Sequence, residues 1–212
     1  MTSTETPPPR SAPWKELGSA GSFVDAQVRG LQEGMLRRES SSVAMLAHLR
    51  HAAGKPAGSV ADIWPVTVAD SLAGPHAGDD PTPAEVAVHV AMTLYAVHQQ
   101  SVPTRMHQRG QGFGRALRAL RPVDAETDPV RRRFQAVGTA DSLDELVYHA
   151  RGLVQLLRAE RQSQDYALLA DQLVSWQRGD EVRVRLQWAR DFYRTETGPA
   201  GTAPTEQTTT AP

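Results

Sequence analysis

Apolar residues recur with the period of an α-helix through the second half of the chain. Between residues 141 and 161 they fall at positions i, i+3, i+4, i+7, i+11 and i+14, namely Leu143, Leu146, Val147, Ala150, Val154 and Leu157. This spacing places them on one face of a helix. Asp141 or Ser142 stands where an N-cap is preferred, and Asp144 and Glu145 suit the positive N-terminal end of a helix.

Two further segments show the same period. In the first, the predicted buried face is Tyr166, Leu169, Ala170, Leu173 and Trp176. In the second, it is Val182, Leu186, Ala189 and Tyr193. Gly179 and Asp180 separate the two segments as a C-terminal stop and a new cap. The aromatic residues of this region are interpreted as core residues rather than base-stacking residues: Trp176, Trp188, Phe192 and Tyr193.

The first half is less regular but is also predicted to be helical. Helices are expected near 22–35, 42–53, 82–100 and 112–121. The segment 82–100 begins with Thr82 as cap, Pro83 in the first turn and Glu85 at the capping-box position. Its predicted buried face is Val86, Val90, Leu94 and Val97. No alternating strand pattern is found, so the predicted fold class is all-α.

The composition of the two ends differs from that of the core. Residues 1–13 and 196–212 are rich in Pro, Thr, Ala and Gly with little to bury, so both are predicted to be disordered tails. The core between them is predicted to form two small helical bundles, 14–102 and 103–195, with a border between Ser101 and Pro122.

Charge is distributed unevenly along the 212 residues, although the net charge is only −1. From Trp14 to Gln100 there are 6 basic and 9 acidic residues, whereas Ser101 to Arg194 holds 16 arginines and 12 acids. Cysteine is absent, and no apolar run approaches the roughly 20 residues of a membrane span. No secretory signal is recognised, and a cytoplasmic protein without a membrane partner is expected.

The stretch "HQRGQGFGRALRALRP", His107 to Pro122, raises the question of a phosphate-binding loop. Its G-x-G-x-G spacing follows a polar segment rather than a strand, and the Lys-Ser/Thr of a Walker loop is missing. The glycines are therefore interpreted as a flexible lead into a helix that begins near Phe113 and buries Phe113, Leu117 and Leu120. Arg115, Arg118 and Arg121 share a face, with Arg109 and His107 upstream. This face either contacts phosphates or is simply solvated.

A second arginine cluster follows in "DPVRRRFQAV". Arg131, Arg132 and Arg133 are consecutive on a predicted helix, so they fan over about 200° and cannot all pair with local acids. One or two should point outward near the face that carries Arg115, Arg118 and Arg121. The alternative is pairing with Asp128 along the helix.

Residues for catalysis or metal binding are not recognised. His48 and His51 are three apart, but no H-E-x-x-H motif and no third ligand at a suitable spacing accompany them. Ser40, Ser41 and Ser42 lack the context of a nucleophile elbow. No catalytic residue, metal, cofactor or small-molecule substrate is therefore predicted.

The order of the motifs resembles the CasB family, the small subunit of the type I-E CRISPR surveillance complex Cascade. The likeness spans about Phe23 to Arg194 and is carried by "SSSVAMLAHLRHAAG", "GFGRALRAL", "VRRRFQAV", "LDELVYHARGLVQLLR", "DYALLADQLVSW" and "RLQWARDFYR". The resemblance implies an all-helical, two-bundle protein without enzymatic activity. It also implies partners: guide RNA, target DNA and its displaced strand, other Cascade subunits and a second copy of the chain.

By position, the resemblance assigns backbone contacts to five arginines: Arg50, Arg115, Arg118, Arg131 and Arg132. The chain departs from the family pattern at His51, where a second arginine would suit, and at Gly138, where a basic residue could stand. With the neighbouring basic residues, the complete predicted nucleic-acid-binding set is Arg50, His51, Arg109, Arg115, Arg118, Arg121, Arg131, Arg132 and Arg133.

Three functional hypotheses follow. The first is a non-catalytic Cascade subunit that stabilises the guide–target R-loop and the displaced strand through backbone electrostatics in antiviral defence. The second is a purely structural helical adaptor that docks proteins through its surface charge. The third, a hydrolase or metalloenzyme on a helical scaffold, would require a bound metal or chelation-sensitive nuclease activity.

Overall fold

The fold is all-α in the part of the chain that the computed structural model describes, residues 16–74, 77–120 and 128–194. Arg121 and both predicted tails lie outside these ranges. The helices are α1 (Ser19–Leu36), α2 (Ser40–Ala52), α3 (Trp64–Thr67), α4 (Asp70–Ala73), α5 (Pro83–Gln99), α6 (Phe113–Arg118), α7 (Pro129–Thr139), α8 (Leu143–Ala159), α9 (Tyr166–Ser175) and α10 (Glu181–Tyr193). A 3₁₀ turn at Ala61–Ile63 precedes α3, and a π turn at Trp176–Asp180 joins α9 to α10.

Helix α5 is the centre of the fold. The predicted capping box is confirmed. The Thr82 hydroxyl accepts a hydrogen bond from the Glu85 backbone N–H, and the Glu85 carboxylate accepts one from the Thr82 backbone N–H. The prediction of a single buried face is wrong. All residues from Ala87 to Gln99 are buried, whereas Val86 is only half-buried. The reason is that α1, α2, α8 and α9 pack around the helix on all sides.

The buried face predicted for α8 is confirmed. Leu146, Ala150, Val154 and Leu157 are buried, and Leu143 and Val147 pack beside them. Ser142 is the cap, since its hydroxyl accepts from the Glu145 backbone N–H at 3.2 Å. The face predicted for α9 is likewise buried.

The register predicted for α10 is wrong. Val182 is 76% exposed, and Leu186 and Tyr193 are each 46% exposed. The buried stripe is instead Val184, Trp188 and Phe192. Both stripes have helical spacing, but Trp188 and Phe192 bury more apolar area, and each finds an aromatic partner. The Phe113 and Trp188 rings meet edge-to-face at 5.3 Å, and the Phe134 and Phe192 rings stack at 4.3 Å.

The glycines before α6 have defined structural roles. Gly110 has a φ of +79° and donates its backbone N–H to the Asp165 carboxylate at 2.7 Å. Gly114 lies directly against α10, so a Cβ there would overlap the carbonyl oxygen of Trp188. The segment is thus fixed at both ends, which the interpretation as a flexible lead did not anticipate.

Helices from both halves of the sequence share one hydrophobic core. Helix α9 packs on α1 and α5, α7 packs on α8, and α10 packs on α6. The division into bundles 14–102 and 103–195 stays a prediction.

Candidate nucleic-acid interface

Helix α7 presents three consecutive arginines because its apolar residues fix its rotation. Asp128 caps the helix by accepting from the Arg131 backbone N–H at 2.9 Å, and Pro129 occupies the first turn. The buried residues are Val130, Phe134 and Val137. Arg131, Arg132 and Arg133 are consequently all exposed, and none forms a salt bridge with a carboxylate of the described residues. All three point outward, where one or two had been expected.

A groove of about 540 Å³ runs between α7 and α8. Arg132 and Arg133 line one wall, and Arg151 and His149 line the other. Three guanidiniums around one groove form a surface suited to phosphate oxygens, which arginine binds through two parallel hydrogen bonds.

Helix α8 extends this basic surface to the end of α2. Arg151 and Arg158 are two turns apart on one side of α8, and the Arg151 guanidinium lies beside Gly54, just after α2. Arg158 is close enough to Arg50 to affect its charge: partial burial lowers the pKa of Arg50, and the Arg158 guanidinium lowers this pKa further. We define the arginine surface as Arg132, Arg133, Arg151, Arg158 and Arg50.

His51 belongs to the exposed end of α2. Its Nε2 lies 2.8 Å from Lys55 Nζ, within hydrogen-bond distance. Lys55, which follows α2, is thus an additional cation beside His51.

The α6 arginines form a separate, smaller surface. Arg115 and Arg118 line a shallow groove with Gln111 and Ala119. The Arg115 guanidinium donates to the Gly110 carbonyl at 3.3 Å, and that of Arg118 donates to the Arg194 carbonyl at 3.0 Å. The predicted third member of this face, Arg121, lies outside the described residues.

Arg109 occupies a different environment from the other predicted arginines. Its guanidinium lies 3.3 Å from Asp165 and 3.6 Å from Asp25, and most of its side chain is shielded from solvent. It joins the loop before α6 to the N-terminus of α9, because Asp165 also caps that helix through Leu168 N–H. Arg109 thus neutralises two internal carboxylates.

His107, beside Arg109, completes this internal network. Its Nδ1 accepts from Tyr166 N–H at 3.1 Å, so Nε2 carries the proton and donates to Asp25 at 3.1 Å. Burial lowers the pKa of His107, while Asp25 and Asp165 oppose that effect. The Gln32 side chain bonds both backbone groups of His107, so α1 and α9 together hold this residue.

The sequence reasoning missed Arg151 and Arg158. Both occur in the quoted segment "LDELVYHARGLVQLLR", seven residues apart and along one edge of its apolar face. This spacing places both arginines on one side of the helix, and it could have indicated a basic surface. No sequence pattern indicated that Arg158 lies near Arg50, since α2 and α8 are about a hundred residues apart in the sequence.

The described residues contain no cluster of three or more side chains suited to a metal ion. None of the described helices is long and apolar enough to cross a membrane.

Fold and surface together define a class: small all-α proteins with an arginine-lined surface. The family model for CRISPR-associated protein Cse2 matches residues 45–193. The crystal structure of CasB from Thermobifida fusca is similar with a TM-score of 0.73 and 39% identity, covering 84% of this chain and 100% of that chain. The crystal structure of CasB from Thermus thermophilus is similar with a TM-score of 0.61 and 26% identity, covering 82% of this chain and 97% of that chain.

The chain belongs to the Cse2, or CasB, family of CRISPR-associated proteins. No curated protein sequence matches it. The resemblance inferred from the motifs is confirmed at the level of the family.

Proposed function

We propose that the chain is the non-catalytic small subunit of a type I-E CRISPR surveillance complex, Cascade. Its arginine surface binds the nucleic-acid backbone and stabilises the R-loop formed by guide RNA, target strand and displaced strand. Base pairing then supplies sequence recognition, and the protein needs only electrostatic contacts. Partners in this role are the guide RNA, the DNA strands, the other subunits and a second copy.

The continuity of positive charge across three helices carries this proposal. Arg132 and Arg133 from α7, Arg151 and Arg158 from α8, and Arg50 from α2 are distant in sequence but adjacent on the surface. Partial burial and the nearby Arg158 guanidinium both lower the pKa of Arg50. A polyanion relieves that repulsion, whereas no carboxylate of the described residues does so.

A second candidate is the structural adaptor, which an exposed apolar groove between α7 and α10 favours. Phe134, Leu186 and Tyr193 line this groove of about 390 Å³. Apolar residues left at the surface are a common property of protein-docking sites. Both roles can belong to one subunit, because this groove and the arginine surface use different residues.

Salt-dependent binding to labelled single-stranded DNA tests the first role. The variant Arg132→Ala/Arg151→Ala removes one arginine from each wall of the groove. Loss of two phosphate contacts should flatten the log–log salt slope by about 1.4. The matched control is Arg29→Ala/Arg37→Ala, which removes the same charge from exposed arginines that pair with Asp25 and Glu39.

The same titration is repeated with the chain assembled with its partner subunits. An unchanged slope in the groove variant, or an equal change in the control, would contradict the assignment of these arginines. Absence of salt-dependent binding by both the chain and the assembly would overturn the nucleic-acid role and leave the adaptor.

A further inference from the structure

The α7–α8 groove contains an exposed aromatic ring among its arginines. Tyr148 is 75% exposed, whereas Tyr95 and Tyr166 are fully buried. It lines the groove together with Arg132, Arg133 and Arg151. Among the described aromatic rings it contacts that of the neighbouring His149, in an edge-to-face arrangement at 5.4 Å, and much of its surface is open to a ligand.

We propose that this groove is a site for an unpaired nucleotide, in which Tyr148 stacks on the base and the three arginines bind the adjoining phosphates. The inference rests on the proposed function, which involves the backbone alone, and adds to it a contact with the base. Aromatic rings beside cationic side chains are the usual means of binding single strands without regard to sequence.

The chemistry of the groove favours a strand over a peptide. Arg132, Arg133 and Arg151 form no salt bridge with the described carboxylates, so their positive charge is not neutralised within the protein. Closely spaced arginines fit successive phosphates of one polyanion, each of which can accept from a planar guanidinium. The groove volume of about 540 Å³ is in the range of small-molecule sites.

Gly152 keeps the floor of the groove open. It lies inside α8, where a glycine destabilises a helix by roughly 1 kcal/mol relative to alanine. A Cβ at this position would meet no protein atom within 4 Å, so the packing of the chain does not require a glycine. The open position leaves room for a ligand beside Tyr148.

The occupant is single-stranded for a geometric reason. Bases inside a duplex are stacked on both faces, and a tyrosine on a rigid helix reaches only their edges or the backbone. An unpaired base exposes a face on which the ring can stack. The site therefore fits a displaced or looped strand rather than a continuous heteroduplex.

The test compares a normal DNA strand with an abasic strand of the same length and phosphate number. The full chain should bind the normal strand about tenfold more tightly, since stacking of a single base contributes an effect of that order. Tyr148→Ala should abolish this preference and leave the salt slope unchanged, and Tyr148→Phe should retain the preference. The control is Trp64→Ala, which removes an exposed aromatic residue outside the groove.

A second variant should lower the binding affinity without lowering the stability of the protein. Gly152→Leu fills the floor of the groove without meeting protein atoms at its Cβ, so the thermal midpoint should be unchanged or higher. Affinity for the normal strand should fall about tenfold, and affinity for the abasic strand should change less. A misfolded variant would instead lower the midpoint.

The outcomes separate the two proposals. Salt-dependent binding without any preference for the normal strand overturns the nucleotide site and leaves the backbone role intact. The nucleotide site is also overturned if Tyr148→Ala lowers the affinity for the normal strand and for the abasic strand equally. If Tyr148→Ala instead impairs only assembly with protein partners, the groove is a protein contact. Absence of binding to either strand, both by the chain and by its assembly with partner subunits, overturns both proposals.

Discussion

The Asp171 carboxylate of α9 accepts a hydrogen bond of 2.8 Å from the backbone N–H of Gly21 in α1. Its other oxygen accepts from Gly18 N–H, also at 2.8 Å. Gly18 is the N-cap of α1 and has no side chain to serve that purpose. Asp171 therefore caps α1 from another helix, and its negative charge lies at the positive end of the helix dipole.

Replacing Asp171 by alanine should lower the free energy of unfolding by about 1–3 kcal/mol, because two backbone donors lose a charged acceptor. Asp171→Asn retains one acceptor oxygen and should lose less. Urea unfolding followed by circular dichroism measures both. Equal stability of the alanine variant and the parent protein would show that solvent replaces the cap.

A methyl group at Gly114 should separate α6 from α10. A Cβ there would lie 3.0 Å from the carbonyl carbon of Trp188 and closer still to its oxygen, and a backbone group cannot rotate away. We expect Gly114→Ala to destabilise the protein by about 1–3 kcal/mol. Gly112→Ala is the control, because its Cβ would make only ordinary contacts, with Leu168 at 3.4 Å and Asp191 at 3.6 Å.

Stability should fall in acid because of buried His98. The ring lies 2.9 Å from the Tyr166 hydroxyl, and burial, assisted by Arg158, lowers its pKa from 6.5 to about 4. The unfolded chain binds a proton near pH 6.5 that the folded chain binds only near pH 4, so stability is lost as the pH falls through this window. The shift corresponds to roughly 3 kcal/mol.

Urea unfolding at several pH values measures this loss. His98→Asn preserves a hydrogen-bonding group near Nδ1 but does not titrate, so its stability should depend less on pH between 6.5 and 4. An exposed histidine provides the comparison, and His51→Asn should retain the full dependence. Parallel pH profiles for the two variants would contradict the role of His98.

Arg158→Gln should weaken nucleic-acid binding without destabilising the protein. The change removes the guanidinium that disfavours the charge of Arg50, so the free energy of unfolding should stay within about 0.5 kcal/mol of the parent. One fewer phosphate contact should flatten the salt slope for single-stranded DNA by about 0.7. A stable variant with an unchanged slope would remove Arg158 from the interface.

Arg109→Ala should show the opposite pattern. Removing this guanidinium leaves Asp25 and Asp165 without their common partner, and Asp165 is buried. The free energy of unfolding should fall by about 1–3 kcal/mol, while the salt slope measured under native conditions stays the same. A flattened slope with unchanged stability would restore Arg109 to the predicted nucleic-acid-binding set.

The local patterns of the chain were sufficient for the helices and for part of the candidate site. Thr82, Ser142 and Asp128 cap their helices, and the apolar spacing of α8 and α9 marks their buried faces. The sequence also placed one or two of Arg131, Arg132 and Arg133 at the surface, although all three are exposed in the structure. These properties depend on neighbours within a few residues, which the sequence displays directly.

The all-α class, the positions of the long helices and the arginine clusters were thus determined by the sequence itself. Only the tertiary structure decided the burial of α5, the rotation of α10 and the proximity of Arg50 to Arg158. Each of these depends on which helices meet and which side chains then compete for the same space. Two stripes of α10 had helical spacing, and the contact of Trp188 with Phe113 selected one of them. Such a choice is a property of the packed core, because the energy of burial depends on the partner surface as well as on the residue.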